Sequence, residues 1–336
     1  MERRLIEKIR NITQARSTFG GSGPKWIKKA IGDDCAELAV TPSANVLLTT
    51  DTMVEGIHFS FTYFTPFQLG KKLASVNLSD IAAMGGVPKA ALLNLEVPDT
   101  LRDPGPNFWN EFAKGLGERL SEFSTVLVGG DTVREPGKRL GLTLTIMGEI
   151  EKGGAVYRNG AKRGELIYCS GYLGEGSCGY EILMRKGIKL PLPLKRHLIR
   201  RHLDPVPRVH LGRLLSRLGA SSMIDVSDGI ATDLAHVATQ SGLCALISKS
   251  RLPISRALRI GAKAMGKDPV AFALFGGEDF ELVWTISPNM KREMEKEVSR
   301  LLGHPPIFLG VMKEGQGVLL EGNSTTQDIT YRGYEH

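Results

Sequence analysis

The residues most able to do chemistry are acids gathered into six short clusters with small or hydroxyl-bearing neighbours. They are Gly32-Asp33-Asp34, Thr49-Thr50-Asp51, Asn77-Leu78-Ser79-Asp80, Gly129-Gly130-Asp131, Asp225-Val226-Ser227-Asp228 and Gly276-Gly277-Glu278-Asp279. Small neighbours let the backbone turn sharply and leave carboxylates unobstructed. Hard divalent cations such as Mg2+ take oxygen ligands of this kind and usually bring phosphates with them. Carboxylates that converge repel one another unless a cation lies between them. Taken singly, Gly-Asp-Asp or Gly-Gly-Asp is commonly a turn or a helix cap. Six together, mostly at expected strand ends, point to a metal and phosphate site, because α/β proteins build their sites there.

Several other chemistries are excluded. There is no G-x-x-x-x-G-K-[ST] phosphate loop, no H-R-D or D-F-G pair, and Gly171–Gly176 misses the dinucleotide spacing. Cys35, Cys169, Cys178 and Cys244 show no C-x-x-C spacing, so buried thiols are expected rather than zinc or disulfides. The seven histidines form no H-E-x-x-H. A nucleotide, if one binds, is held by distributed carboxylates and metals.

The elements that must position these acids are legible along the chain. Residues 1–16 read as a helix, followed by Ser17-Thr18-Phe19-Gly20-Gly21-Ser22-Gly23-Pro24, a connector or a flap expected to order when nucleotide binds. Val46-Leu47-Leu48 reads as a strand delivering Thr49, Thr50 and Asp51 at its end. Pro66–Met84 reads as a helix stopped by Gly85-Gly86, with Lys72, Val76 and Asp80 on one face and Asn77 beside them. Ala90–Val97 reads as a strand and Asn107–Phe123 as a helix. Thr125–Val128 reads as a strand ending in Gly129-Gly130-Asp131, and Leu142–Ile150 as another. Gly153-Gly154 marks a composition break, which places domains at 1–154 and 155–336. In the second half, Leu166–Cys169 and Met223–Asp225 are strands feeding helices, and Ala271–Ile286 reads as two strands flanking Gly276-Gly277. Strands and helices alternate in both halves, so the fold class is α/β (α+β) with two domains.

Length and composition agree. A chain of 336 residues, 42% hydrophobic and 24% charged, suffices for two cores. Its apolar runs stop well short of a membrane span, and no signal region is read at Met1-Glu2-Arg3-Arg4, so the cytosol is the expected compartment. The charge of +7 fits anionic ligands. The densest basic run, Lys195–His202, lacks interleaved aromatics, so a solvated helical face is expected there, with neither nucleic acid nor membrane as partner.

The ordered set of motifs resembles the thiamine-monophosphate kinases. It comprises Ile31-Gly32-Asp33-Asp34-Cys35-Ala36, Thr49-Thr50-Asp51-Thr52 with His58-Phe59, Val76–Gly85, Gly129-Gly130-Asp131-Thr132, Asp225-Val226-Ser227-Asp228-Gly229 and Gly276–Leu282. That family shares a superfamily with aminoimidazole ribonucleotide synthetase, selenophosphate synthetase and the hydrogenase maturation protein HypE. The resemblance implies ATP-dependent phosphorylation of thiamine monophosphate to thiamine diphosphate, assisted by several Mg2+ ions. It implies metal ligation by Asp34, Thr49, Thr50, Asp51, Asp80, Asp131, Asp225 and Asp228, with Asp131, Asp225 and Asp228 acting catalytically through metal. It implies ATP contacts from Gly130, Asp131, Arg158 and Ser227, and substrate contacts from His58, Glu278 and Tyr334. It also implies a homodimer whose N-terminal sheets pair into a β-barrel, and a C-terminal domain that completes the nucleotide and substrate site.

Rival readings are another ATP-using member of the superfamily, HypE-like or selenophosphate synthetase-like, and a nucleotide-binding regulator without turnover. The chain ends Gly333-Tyr334-Glu335-His336, without the terminal cysteine of HypE proteins. Its first cysteine is Cys35, inside the Gly-Asp-Asp motif, rather than in a glycine-rich N-terminal segment with a lysine.

Overall fold

The computed structural model describes residues 2–17, 24–31, 35–101, 107–322 and 324–333. Asp34, Tyr334 and most of the glycine-rich segment lie outside the described residues. The chain forms two compact units, Met1–Ile81 with Gly86–Gly153, and Ala82–Gly85 with Gly154–His336.

The first unit runs α1 (Glu2–Ser17), β1 (Ile27–Lys29), β2 (Glu37–Leu38), β3 (Ala44–Val54), α2 (Pro66–Ala83), β4 (Val87–Pro98), α3 (Phe108–Glu122), β5 (Val126–Glu135) and β6 (Gly141–Glu151). Its four-stranded sheet has the order β3-β6-β4-β5, with β4 and β5 parallel and the other neighbours antiparallel. Helix α2 starts where Thr65 and Gln68 satisfy each other's backbone. The Gln68 N–H donates to Thr65 Oγ1 at 3.2 Å and the Thr65 N–H to Gln68 Oε1 at 3.0 Å, with Pro66 opening the helix. It stops at Gly85, whose φ of +77° favours glycine. Helices α2 and α3 meet almost backbone to backbone. A Cβ at Gly70 would lie 2.2 Å from Phe112 O, and one at Gly115 only 1.9 Å from Phe67 O.

Strand alternation divides the sheet's residues between two faces. Leu47, Met53, Leu93, Leu95 and Val97 are buried, whereas Val46, Leu48 and Leu92 are exposed. Two expectations fail here. Thr49–Asp51 lie in the middle of β3, and Gly129–Asp131 lie within β5 rather than at its end. The cause is non-local: β6 pairs with β3 from Ala44↔Glu151 to Val54↔Gly141, and β4 pairs with β5 as far as Pro98↔Glu135.

The second unit runs β7 (Leu166–Cys169), α4 (Glu175–Met184), α5 (Leu192–Leu203), α6 (Val209–Arg217), β8 (Ser222–Asp225), α7 (Ile230–Ser241), β9 (Cys244–Ser248), α8 (Arg256–Ala264), α9 (Pro269–Phe275), β10 (Leu282–Ile286), α10 (Lys291–Leu302), β11 (Ile307–Lys313), β12 (Gly317–Glu321) and β13 (Thr326–Asp328). Its seven-stranded sheet has the order β13-β12-β9-β11-β7-β10-β8 and is antiparallel except for β9 against β12. Ile230, Leu234, Val237 and Ala238 of α7 bury into one core with Ile224, Ala245, Ile247, Val318 and Leu320.

The first of the two strands expected over 271–286 is instead the end of helix α9. The Asp268 carboxylate caps it by accepting the Val270 N–H at 2.9 Å, and Pro269 supplies the first helical residue. The basic run is helical as expected, but α5 is not solvated throughout, because His202 is buried and Arg201 turns inward to Glu175 and Glu281. Cys169, Cys178 and Cys244 are buried free thiols, whereas Cys35 is exposed.

Candidate functional site

In the first unit α2 and β3 bring a compact acidic group together. The Thr49 hydroxyl donates to Asp80 Oδ2. The Asp51 N–H donates to Asn77 Oδ1 at 3.1 Å, and Asn77 Nδ2 is fixed in turn on Leu73 O at 3.0 Å. Asn77 is wholly buried, so its amide is an oriented strut between helix and strand. Burial and the neighbouring Asp80, which shares a hydrogen bond with Asp51, push the Asp51 pKa up to about 6. The first proton on this pair is therefore held to a higher pH than on an ordinary aspartate.

Thr50 does not join them. Its side chain points to the opposite face, where its hydroxyl donates to Leu144 O and accepts from Thr145 Oγ1 at 3.0 Å. Thr145 lines a cleft of about 880 Å³, whose walls include Ile6, Arg10, Leu48, Leu92, Gly130 and Asp131. Asn94 Oδ1 accepts the Asp131 N–H at 3.0 Å, while the Asp131 carboxylate accepts the Thr132 N–H at 2.8 Å. Gly130 has a φ of +151°, and a Cβ there would lie 1.9 Å from Leu93 O, so only glycine fits beside Asp131. The sheet therefore sorts its acids, with Asp51 and Asp80 toward α2 and Asp131 toward the cleft. His58 sits in the turn after β3, where its Nδ1 accepts the Val54 N–H at 3.1 Å.

In the second unit Asp225 closes β8 and Asp228 precedes α7. Asp225 is buried, while Ser227 and Asp228 are partly exposed. The residue that sequence reasoning missed is Asp233, in the first turn of α7. Its Oδ2 accepts the Asp228 N–H at 3.1 Å, and it also takes a backbone hydrogen bond from Ser227. Burial, then Asp225 and Asp228, hold its carboxyl well above the usual range. The signal was its place in the first turn of a helix beginning one residue after Asp-Gly. Arg158 acts on the same neighbourhood. His236, kept low by burial and then by Arg158, feels Asp228 in the opposite direction and packs edge-on against Tyr331 at 5.2 Å.

The segment 276–281 is laced to that turn. The Glu278 N–H donates to Ser227 O at 2.7 Å, the Phe280 N–H to Val226 O at 2.8 Å, and the Val226 N–H to Glu281 O at 2.8 Å. The Asp279 carboxylate accepts the Gly174 and Gly176 N–H groups at the start of α4, and burial raises it to about 7 against the pull of those bonds and Arg201. Burial alone would also raise Glu281, but Arg208 and then Arg201 overcome it and hold the carboxylate at about 2. Glu281 receives Arg208 Nε at 2.8 Å, Arg208 Nη2 at 2.6 Å and Arg201 Nη2 at 2.9 Å. Glu278, the expected substrate contact, is partly exposed, with Oε2 2.8 Å from His202 Nδ1.

Among the described residues no three His, Cys, Asp or Glu side chains form a self-sufficient metal cage. The acids come in pairs with hydroxyls and backbone groups, an oxygen-only donor set. Mg2+ characteristically uses one or two carboxylates and completes its octahedron with water and substrate phosphates. These residues fit that habit.

An acid-lined sheet unit followed by a second α/β unit is the architecture of the AIR synthase-like fold. Residues 32–150 match the family described as AIR synthase related protein, N-terminal domain. Within that class the likeness is narrower. The chain is 35% identical over 314 residues to the thiamine-monophosphate kinase of Bacillus subtilis, covering 91% of this chain and 92% of that protein. The crystal structure of the thiamine-monophosphate kinase from Stenotrophomonas maltophilia superposes with a TM-score of 0.82 at 32% identity, covering 95% of this chain and 97% of that one. AaThiL complexed with AMPPCP and TMP superposes with a TM-score of 0.75 at 31% identity, covering 85% and 87%. The chain belongs to the thiamine-monophosphate kinase family.

Proposed function

We infer that this protein is a kinase that transfers the terminal phosphoryl group of ATP to thiamine monophosphate, giving thiamine diphosphate and ADP in thiamine biosynthesis. The family relationship, which extends through both units, carries this reading. A solved relative accommodates both AMPPCP, an ATP analogue, and TMP. The acceptor is a phosphate monoester whose second pKa near 6 leaves it largely ionised at neutral pH. No general base is needed to make it a nucleophile. The difficulty is the approach of one polyanion to another.

In this reading Asp51 and Asp80 with the Thr49 hydroxyl on the α2 side of the sheet, Asp131 with the Thr50 hydroxyl on its cleft side, and Asp34, Asp225 and Asp228 would hold Mg2+. The bound ions would neutralise phosphate charge and fix an in-line geometry. Asp51 would serve as a ligand in its ionised form, and Asn77 keeps its backbone in place. Asp233 holds the Asp225–Asp228 turn by its N–H groups. Gly130, Asp131, Arg158 and Ser227 are assigned to ATP, and His58, Glu278 and Tyr334 to thiamine monophosphate.

A homodimer is part of the same reading. Leu48 is 71% exposed in mid-strand, and Val46 and Leu92 extend the apolar surface of that face. A second copy covering it would bury what is otherwise a costly patch. No helix among the described residues is long and apolar enough to cross a membrane.

The test is direct. Purified protein given Mg-ATP and thiamine monophosphate should yield ADP and thiamine diphosphate in equal amounts, and the appearance of neither ends the kinase reading. Asp131→Asn and Asp228→Asn should depress turnover far more than they lower the melting temperature.

A further inference from the structure

Glu278 and Phe280 have φ values of 65° and 51°, a left-handed conformation unfavourable to residues carrying a Cβ. Such a conformation persists only where its surroundings over-determine it. Here the Ser227 and Val226 carbonyls accept the Glu278 and Phe280 N–H groups, and the Asp279 carboxylate is pinned on the N-terminus of α4. The backbone of Glu278 is therefore fixed beside the turn that carries Asp225 and Asp228. Its side chain retains three rotatable bonds and is partly exposed. Something must aim the carboxylate.

His202 is placed to do so. It lies near the C-terminal end of α5, is 2% exposed, and brings Nδ1 to 2.8 Å from Glu278 Oε2. The Tyr180 ring packs 5.3 Å from its own. Gly179 lets α4 approach α5 so closely that a Cβ there would stand 2.1 Å from Leu198 O and 3.3 Å from His202 Cβ. The preceding Arg201 is anchored on Glu175 and Glu281. The imidazole is thus a rigid post beside a flexible carboxylate.

We propose that His202 is a positioning residue of the substrate site, holding the Glu278 carboxylate in the orientation that meets the cationic thiamine moiety. The proposal rests on the reading of Glu278 as a substrate contact. Because Glu278 contacts the part of the substrate that does not react, the effect falls on binding.

Steady-state kinetics on the full chain test it. Glu278→Gln should raise the KM for thiamine monophosphate about tenfold, the scale of one charge-assisted contact, with the KM for ATP within about twofold. An unchanged KM would remove the role of Glu278 and that of His202 with it. His202→Phe should raise the same KM about tenfold, with kcat little altered, and add nothing in the Glu278→Gln background. His202→Gln, which keeps a polar atom, should recover most of the loss. If Glu278→Gln raises KM and the His202 variants do not, the His202 proposal alone is overturned. It is equally overturned if His202→Phe raises KM undiminished in the double variant or weakens ATP and substrate binding alike. Should His202→Phe not fold, the imidazole NMR signals of wild type decide. Those signals should move when thiamine monophosphate is added to wild type and stay still in Glu278→Gln.

Discussion

Replacing Glu281 by Gln removes one charge from the centre of the second unit and leaves the shape almost unchanged. The carboxylate is 1% exposed and receives two guanidinium groups and the Ser170 hydroxyl. Those partners hold its pKa at about 2, against an ordinary 4.5. At about 1.4 kcal/mol per pKa unit, the difference corresponds to about 3 kcal/mol in favour of the folded state. A depressed carboxylate contributes stability above its unfolded pKa and loses it as pH falls through the folded one. The contribution is therefore complete above about pH 4.5 and disappears toward pH 2. Asp279, raised to about 7, has the opposite sign, favouring the folded state at low pH and losing that advantage as pH rises through neutrality. The neutral amide leaves Arg208 without its buried counter-charge, which is the expensive outcome for an internal ion pair. Urea denaturation at pH 7.5 should show Glu281→Gln less stable by about 3 kcal/mol, with a melting temperature lower by roughly 6–12 °C. Adding Arg208→Met should restore part of the loss, since the uncompensated cation is its source. A loss below about 1 kcal/mol, or a full second loss on adding Arg208→Met, would refute the assignment of this stability to the ion network.

Two further outcomes are expected. Gly115→Ala should cost about 3 kcal/mol in urea, because its Cβ would sit 1.9 Å from Phe67 O, whereas Gly153→Ala, with φ +81° and open space, should cost about 1 kcal/mol; equal losses would contradict the close α2–α3 crossing. If Asp51, whose carboxyl is pushed up to about 6 by burial and Asp80, ligates Mg2+ as the carboxylate, apparent Mg2+ affinity by calorimetry should rise from pH 5 to 7 and level off above, and Asp51→Asn should flatten the rise. A pH-independent affinity in the unaltered protein would count against that role for Asp51.

Features set by neighbouring residues were legible in advance. Helix α2 came within a residue of its expected limits because the Gly85 stop is a local signal. Helix α9 was missed although Asp268-Pro269 announced its start, because a short apolar run such as Val270–Phe275 suits either helix or strand. Partners distant in sequence left no trace. Nothing near Glu281 foretells Arg201 and Arg208, and the pairing of β3 with β6 decides that Thr50 turns away from Thr49 and Asp51. Asp233 was hidden for a different reason, as an acid in a helix's first turn ordinarily serves only that helix.

Strand β7 has a consequence for how the protein is made. It is an interior strand of the seven-stranded sheet, where Cys169 pairs with Val283 on one side and Ile307 on the other. During synthesis Leu166–Cys169 leaves the ribosome long before either neighbour exists. An apolar strand with both edges open must wait, and closing so long a loop is slow. The second unit can therefore complete its sheet only when the chain is nearly finished, and until then β7 is the segment most in need of shelter from other chains.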